Sequence, residues 1–279
     1  DGTTARETLQ AKPVTGASMA VRLVISGCCG RMGSRIATLA FPWYNNPPLK
    51  IVGAIETKSH PSLGRDLGEV LEGKPLGIKI SDQIDQALQQ ADVLIEFTNP
   101  QATTLHLEVA ARLKKAMVIG TTGLSDGDRE LLKRASRTIP IVFSPNMSVV
   151  VNAMFELVQI AAKRLGSGYS VQIVETHHAG KKDKPSGTAK RLQEIISAVR
   201  KDDVPCESIR EGEVVGDHQV TFTGQLLTVK GPSETLEITH RAFTRDVFAL
   251  GALKAAAFLA GRAPGVYDMS HVLQASDGG

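Results

Sequence analysis

The chain has 279 residues, enough for about two domains and for a core that needs no staples from disulfides or metal. Hydrophobic residues make up 42% and charged residues 22%, close to the globular average, which excludes wholesale disorder and fibrous repeats. With 32 Lys+Arg against 29 Asp+Glu, the net charge of +3 is too small an excess to point to nucleic acid or an anionic membrane as a partner.

Residues 1–18 are polar and lack an apolar signal core, so they read as an N-terminal extension ahead of Met19. From there the first half alternates short β-branched runs with helical patterns. Strands are predicted at Val21–Ser26, Ile51–Ile55, Ile78–Ile80, Val93–Phe97, Met117–Gly120 and Ile139–Phe143. Helices are predicted at Met32–Ala40, Ile84–Gln90, Thr103–Lys115 and Ser125–Arg137. That rhythm belongs to an α/β fold with a Rossmann-like parallel sheet, in which ligands bind beyond the carboxyl ends of the strands.

The rhythm changes after Pro145. A long apolar helix, Val149–Leu165, leads to a strand at Tyr169–Glu175 and a helix from about Ser186 to Arg200. Alternating segments follow at Gln219–Thr223, Leu226–Lys230 and Leu236–His240, and a final helix at Val247–Leu259. The second part therefore reads as an α+β domain with a mixed or antiparallel sheet. Nothing in the chain is long and apolar enough to span a bilayer. Three cysteines, two of them adjacent (Cys28, Cys29) and one distant (Cys206), make no disulfide framework. A reducing compartment is expected, the cytoplasm or, for a chain of plant origin, the plastid stroma.

The first chemical motif is Gly27-Cys28-Cys29-Gly30-Arg31-Met32-Gly33, between the first strand and the first helix. Glycines let the backbone turn sharply and approach a pyrophosphate, and the helix start offers unpaired amides to the anion. Glu56, 23 residues beyond Gly33, stands at the end of the second strand, where a carboxylate accepts from ribose hydroxyls. A purely steric strand-to-helix turn would also use glycine, but the strand, helix and acidic residue in order favour dinucleotide binding. The carboxylate alone favours NADH and a nearby Lys58 could admit NADPH, so the cofactor is NADH or NADPH.

The second motif is the segment 175–188, with two histidines, three lysines and Pro185-Ser186-Gly187-Thr188 at a helix start. The amides and hydroxyls of Ser186, Gly187 and Thr188 make an anion pocket, to which Lys181 or Lys182 adds charge. A histidine beside it can donate a proton near neutral pH. A solvated basic loop with a helix cap remains the competing reading. Metal binding by His177 and His178 is disfavoured, because neighbours on a strand point to opposite faces and no partner sits at ligand spacing; no metal is expected.

Further motifs are Glu-Phe-Thr at 96–98, Gly-Thr-Thr-Gly at 120–123, Pro-Asn-Met-Ser at 145–148, E-x-H-H-x-x-K-x-D-x-P-S-G-T-A at 175–189, Leu-Glu-Ile-Thr-His at 236–240, Arg245-x-x-Phe-Ala and Pro264-Gly-Val-Tyr-Asp-Met. With the glycine loop they run from about Val21 to Leu273, and the chain so marked resembles the 4-hydroxy-tetrahydrodipicolinate reductase (dihydrodipicolinate reductase) family. The resemblance implies reduction of a cyclic dicarboxylic imine or enamine to tetrahydrodipicolinate, in the diaminopimelate route to lysine. It implies His177 as acid/base, Lys181 as charge stabiliser, and His178, Ser186, Gly187, Thr188 and Thr122 as grips on the substrate. It places Gly27, Gly30, Arg31, Met32, Gly33, Glu56, Phe97, Thr98, Gly120, Thr121, Pro145, Asn146 and Met147 at the cofactor.

The resemblance also implies a discontinuous cofactor domain, 19–147 with 246–279, a substrate-binding and tetramerisation domain at 148–245, and a homotetramer. Thr57 and Asn99 stand where some relatives carry arginines for a 2′-phosphate, which weakens the case for strict NADPH use. Two other readings are a related aspartate or homoserine dehydrogenase, and a nucleotide sensor without catalysis. The intact 175–189 cluster argues against both.

Overall fold

Continuous apolar runs mark the strands of the first half as buried on both sides. The protein, described here from a computed structural model covering residues 20–44, 49–201, 203–225 and 230–275, builds them into a seven-stranded sheet. Its elements are β1 (Val21–Ser26), α1 (Gly33–Leu39), β2 (Leu49–Ile55), α2 (Leu67–Glu72), β3 (Ile80–Ser81), α3 (Ile84–Gln89), β4 (Val93–Glu96), α4 (Pro100–Leu113), β5 (Ala116–Ile119), α5 (Asp126–Ala135) and β6 (Pro140–Phe143). The strands lie in the order β11-β6-β5-β4-β1-β2-β3, where β11 (Gly265–Tyr267) comes from the far end of the chain, and every pairing is parallel.

Alternate side chains serve two cores, as the pleat requires. Leu23, Ile25, Val93, Ile95, Val118 and Val142 face α1, α8 (Asp246–Leu259) and α9 (Met269–Gln274). Val24, Leu94, Met117, Ile119 and Ile141 face α3, α4 and α5. Helix α8 thus returns from beyond the second sheet to pack on α1, β4 and β5.

The second sheet is mixed, in the order β10-β9-β7-β8, from β7 (Tyr169–His177), β8 (Cys206–Arg210), β9 (Gly216–Gly224) and β10 (Glu234–Ala242). β8 runs parallel to β7, while β9 is antiparallel to both β7 and β10. Helices α6 (Val149–Leu165) and α7 (Gly187–Arg200) cover one face, burying Val151, Met154, Val158, Leu192 and Ile196 against Ile173, Val220 and Phe222.

Local chemistry fixes the helix starts. Asn99, Ser125, Ser148 and Ser186 each accept a hydrogen bond from an amide in the first turn of α4, α5, α6 and α7. Three expectations need correction. β7 continues past Glu175 to His177, because pairing with β8 and β9 extends that far. The third strand shrinks to Ile80–Ser81, since its pairing with β2 involves two residues. α2, β8, β11 and α9 were not anticipated. The expected extension 1–18 with Met19, most of the expected strand Leu226–Lys230 and residues 276–279 lie outside the described residues. Among the described residues no helix is long and apolar enough to cross a membrane.

Candidate active site

The glycine loop leaves β1, whose neighbours β4 and β2 carry the chain in opposite directions across the sheet, the switch point of such folds. Gly27 adopts φ +73°, and a Cβ on Gly33 would stand 1.9 Å from the Gly27 carbonyl oxygen, so no side chain fits where the loop doubles back. Glu56 accepts hydrogen bonds from the Cys29 amide at 2.9 Å and the Thr57 amide at 3.1 Å, which ties the end of β2 to the loop. A glycine cradle with an acidic residue at the end of β2 fits the ribose and pyrophosphate of a dinucleotide. Cys28 and Cys29 hold their sulfurs 3.9 Å apart, but burial pushes both thiols up, so they remain protonated and poorly nucleophilic.

A cavity of about 260 Å³ opens between the two sheets. From the first sheet it is lined by Arg31, Met32, Phe97, Gly120, Thr122, Pro145, Asn146 and Met147, and from the second by His177, His178, Lys181, Ser186, Gly187 and Thr188. The residues expected from the two motifs therefore share one space. Six others expected at the cofactor, Gly27, Gly30, Gly33, Glu56, Thr98 and Thr121, stand outside this cavity's lining. Gly27, Gly30, Gly33 and Glu56 belong to the loop just described. Thr121 is buried and its Oγ1 accepts from the Thr98 amide at 3.0 Å, while the Thr98 hydroxyl donates to Glu96, so these two brace the wall behind Phe97. Asn99 is occupied as the cap of α4, accepting from the Ala102 amide at 3.0 Å.

Five lining residues were given no role from sequence: Ser144, Asp183, Val215, Arg245 and Phe248. The Arg245-x-x-Phe-Ala run was visible as a motif, and its spacing places Arg245 and Phe248 one helical turn apart at the start of α8. Val215 carries no local signal at all.

His177 is buried, and its Nδ1 is hydrogen-bonded to the Glu175 carboxylate. Burial pushes its pKa below the ordinary histidine value, against the pull of Glu175. Glu175 is itself fully buried. Burial pushes it up, but the Arg210 guanidinium, with help from Ser208 and His177, draws it down to about 2. Its Oε1 accepts from Arg210 Nη2 at 2.7 Å and from the Ser186 amide at 3.3 Å. Opposite His177 on β9 is Gly216, where a Cβ would come within 3.0 Å of His177 Nε2. The next inward residue, His218, packs edge-on to His177 with ring centroids 5.1 Å apart, and burial pushes it down to about 3.

Glu175, His177 and His218 bring potential ligand atoms within 4.8 Å of one another, but the guanidinium on Glu175 already supplies the positive charge there. Lys181 Nζ lies 2.9 Å from Asp183 Oδ1 and is about one quarter exposed, whereas Lys182 is exposed and outside the cavity. Ser186 caps α7, so the amides of Gly187 and Thr188 begin the helix at the cavity wall. Arginine, lysine, helix-start amides and an imidazole whose Nε2 is free to take up and pass on a proton together suit a small dianion that must receive one.

The family described as “Dihydrodipicolinate reductase, N-terminus” matches residues 21–147, and “Dihydrodipicolinate reductase, C-terminus” matches 150–273. The 4-hydroxy-tetrahydrodipicolinate reductase of Anaeromyxobacter dehalogenans is 41% identical over 272 residues, covering 90% of this chain and 97% of that one. The protein of the same name from Syntrophotalea carbinolica is 40% identical over 273 residues, covering 91% and 98%. A dipicolinate-bound dihydrodipicolinate reductase from Paenisporosarcina sp. TG-14 shares the fold at TM-score 0.71 and 20% identity, covering 90% of this chain and 98% of that one. An amine dehydrogenase from Mycobacterium smegmatis shares it more loosely, at TM-score 0.56 and 14% identity over 88% of this chain and 94% of that one. With both halves matched in order and relatives of this identity along nearly its whole length, the chain belongs to the dihydrodipicolinate reductase family of oxidoreductases.

Proposed function

We propose that the protein reduces 4-hydroxy-tetrahydrodipicolinate to tetrahydrodipicolinate with NADH or NADPH, in the diaminopimelate route to lysine. The observation that carries this reading is the single cavity lined by Arg31, Met32, Phe97 and Gly120 on one side and by His177, Lys181 and Ser186–Thr188 on the other. A bound reduced nicotinamide would supply the hydride, and residues 27–33 with Glu56 would hold its dinucleotide. The substrate loses its hydroxyl as water and gains one hydride and one proton across the resulting double bond.

The chain's own residues supply the rest. Lys181, His178 and the amides and hydroxyls of Ser186, Gly187 and Thr188 grip the two carboxylates, with Thr122 facing them across the cavity. The helix start and Lys181 stabilise negative charge on the ring as it is reduced. His177 uses Nδ1 on Glu175, leaving Nε2 to hand a proton to the ring. On this reading 19–147 with 246–279 forms the cofactor domain, and 148–245 the substrate and assembly domain. The sheet of that domain leaves Leu236 and the adjoining Phe243 exposed, the latter at 88%, which supports assembly as a homotetramer. The cytoplasm or a plastid stroma is the proposed compartment.

The test is the initial rate of nicotinamide oxidation, with substrate made in situ from pyruvate and aspartate semialdehyde by the enzyme that condenses them. Oxidation that depends on that substrate is expected. NADH should serve at least as well as NADPH, because the Glu56 carboxylate repels a 2′-phosphate and Thr57 brings no compensating charge. Tight nucleotide binding without oxidation would instead establish the sensor reading. Sedimentation equilibrium on the same preparation reads the assembly, and a mass other than four chains removes the tetramer.

A further inference from the structure

Behind the cavity wall lies a polar assembly built around the carboxylate that holds His177. Glu175, on β7, ties its own strand to β8 and to the start of α7 through one carboxylate. Oε2 takes His177 Nδ1, and Oε1 takes both Arg210 Nη2 from β8 and the Ser186 amide at the start of α7. The same Arg210 Nη2 also donates to the Asp183 carbonyl at 2.6 Å, and so holds the loop that carries Lys181. The parallel register sets Arg210 directly beside His177. Both charged side chains are removed from water, with 0% exposure at Glu175 and 6% at Arg210. A buried ion pair of this kind contributes little net stability over an apolar equivalent, so its retention beside a titrating group calls for another explanation.

We propose that Glu175 and Arg210 are an opposed pair of positioning residues: Glu175 fixes the His177 tautomer and favours its cationic form, and Arg210 limits how far. The inference rests on the proton-donor reading of His177. An ionised carboxylate accepts and cannot donate, so neutral His177 must carry its proton on Nδ1 and leave Nε2 unprotonated. Nε2 therefore takes up the next proton and is the atom that delivers it. Arg210 neutralises part of the carboxylate's charge, so the imidazolium is held less tightly and gives up its proton more readily. Among the described residues, the other titratable groups around His177 are His178, Lys181 and Asp183 on the following loop and His218 on β9, with His240 behind it on β10, while Ser186 and Thr188 at the start of α7 bring hydroxyls. Arg245 and Arg31 stand across the cavity.

The two residues make opposite predictions. In Glu175→Gln, two donors still claim the Oε1 position, so the amide oxygen stays there and the amide NH2 turns toward Nδ1. Protonated Nδ1 then has no acceptor. kcat should fall by about ten- to a hundredfold, the loss common when an orienting partner is removed. The limb on which kcat declines with rising pH should move toward acid. Arg210→Met leaves the full carboxylate charge on His177, and its limb should move toward alkali. Arg210→Lys should restore the wild-type position. A merely structural pair would lower melting temperature and leave both limbs in place.

Turnover lost in His177→Gln with unmoved limbs in Glu175→Gln and Arg210→Met overturns this inference while the proton-donor reading stands. Full turnover in His177→Gln overturns both. Should a variant fail to bind NADH and prove unfolded, the native protein decides. The ¹⁵N shifts of neutral His177 should report the proton on Nδ1, and a proton on Nε2 overturns the inference.

Discussion

Two buried glutamate–histidine pairs, one under each sheet, use the same atoms for different ends. Glu96, at the end of β4, accepts from His106 Nδ1 at 2.6 Å, and Glu175, on β7, accepts from His177 Nδ1. Both glutamates are fully buried and both histidines are 7% exposed. Their surroundings differ. Glu96 is otherwise met by the hydroxyls of Thr98 and Thr103, and His106 by that of Ser26, so the first pair is enclosed by neutral groups. Glu175 is met by a guanidinium and a helix-start amide, and its histidine lines the cavity. A carboxylate fixes one nitrogen of an imidazole in either case, and what the other nitrogen can reach decides whether the pair braces the fold or handles a proton.

The largest test of that contrast is to remove each histidine in turn. His177→Gln should lower turnover by about two to four orders of magnitude, the usual range for a general acid, and leave nucleotide affinity nearly intact. His106→Gln should change turnover by less than about tenfold. It should instead destabilise the chain by about 1–3 kcal/mol, because a buried carboxylate loses its donor. Parallel steady-state rates and denaturant melts would break the comparison if the two variants lost turnover equally.

A smaller effect separates two adjacent lysines. Lys181→Ala should damage turnover, since its ammonium lies in the cavity beside Asp183, while Lys182→Ala should do much less from its exposed position. Equal losses in kcat/KM would undo the distinction.

The smallest expected effect is on stability against pH. Burial pushes His218 from an ordinary 6.5 down to about 3, so the unfolded chain binds the proton first. Its contribution is complete above about pH 6.5 and is lost as pH falls from there toward 3. Glu175, drawn from 4.5 to about 2, contributes above its ordinary value and loses that contribution between 4.5 and 2. Urea midpoints measured from pH 7 to pH 4 should therefore decline, and His218→Gln should flatten the decline. An unchanged slope in that variant would assign the effect elsewhere.

Much of this was legible along the chain. Alternating β-branched and helical segments gave β1, β2, β4, β5 and β6 to within one or two residues at most ends, and α6 at its full length. Cap residues such as Ser148 and Ser186 marked helix starts because capping is a contact between near neighbours. The elements that escaped, α2, β11 and α9, are six, three and six residues long, too short to show a period. β8 reads Cys-Glu-Ser-Ile-Arg, with no clean alternation, because two of its side chains turn toward the buried carboxylate rather than toward oil or water.

The sequence by itself determined the family, the glycine loop and the segment that carries the two histidines and Lys181, because each is a run of neighbours whose chemistry needs no distant partner. Only the tertiary structure decided that Arg210, 35 residues away, would meet Glu175, and that Arg245 and Phe248 at the start of α8 would line the cavity. The physical reason is register. A strand's side chains alternate faces, so which residues meet across β7 and β8 depends on the pairing of the whole sheet, and no local spacing records it.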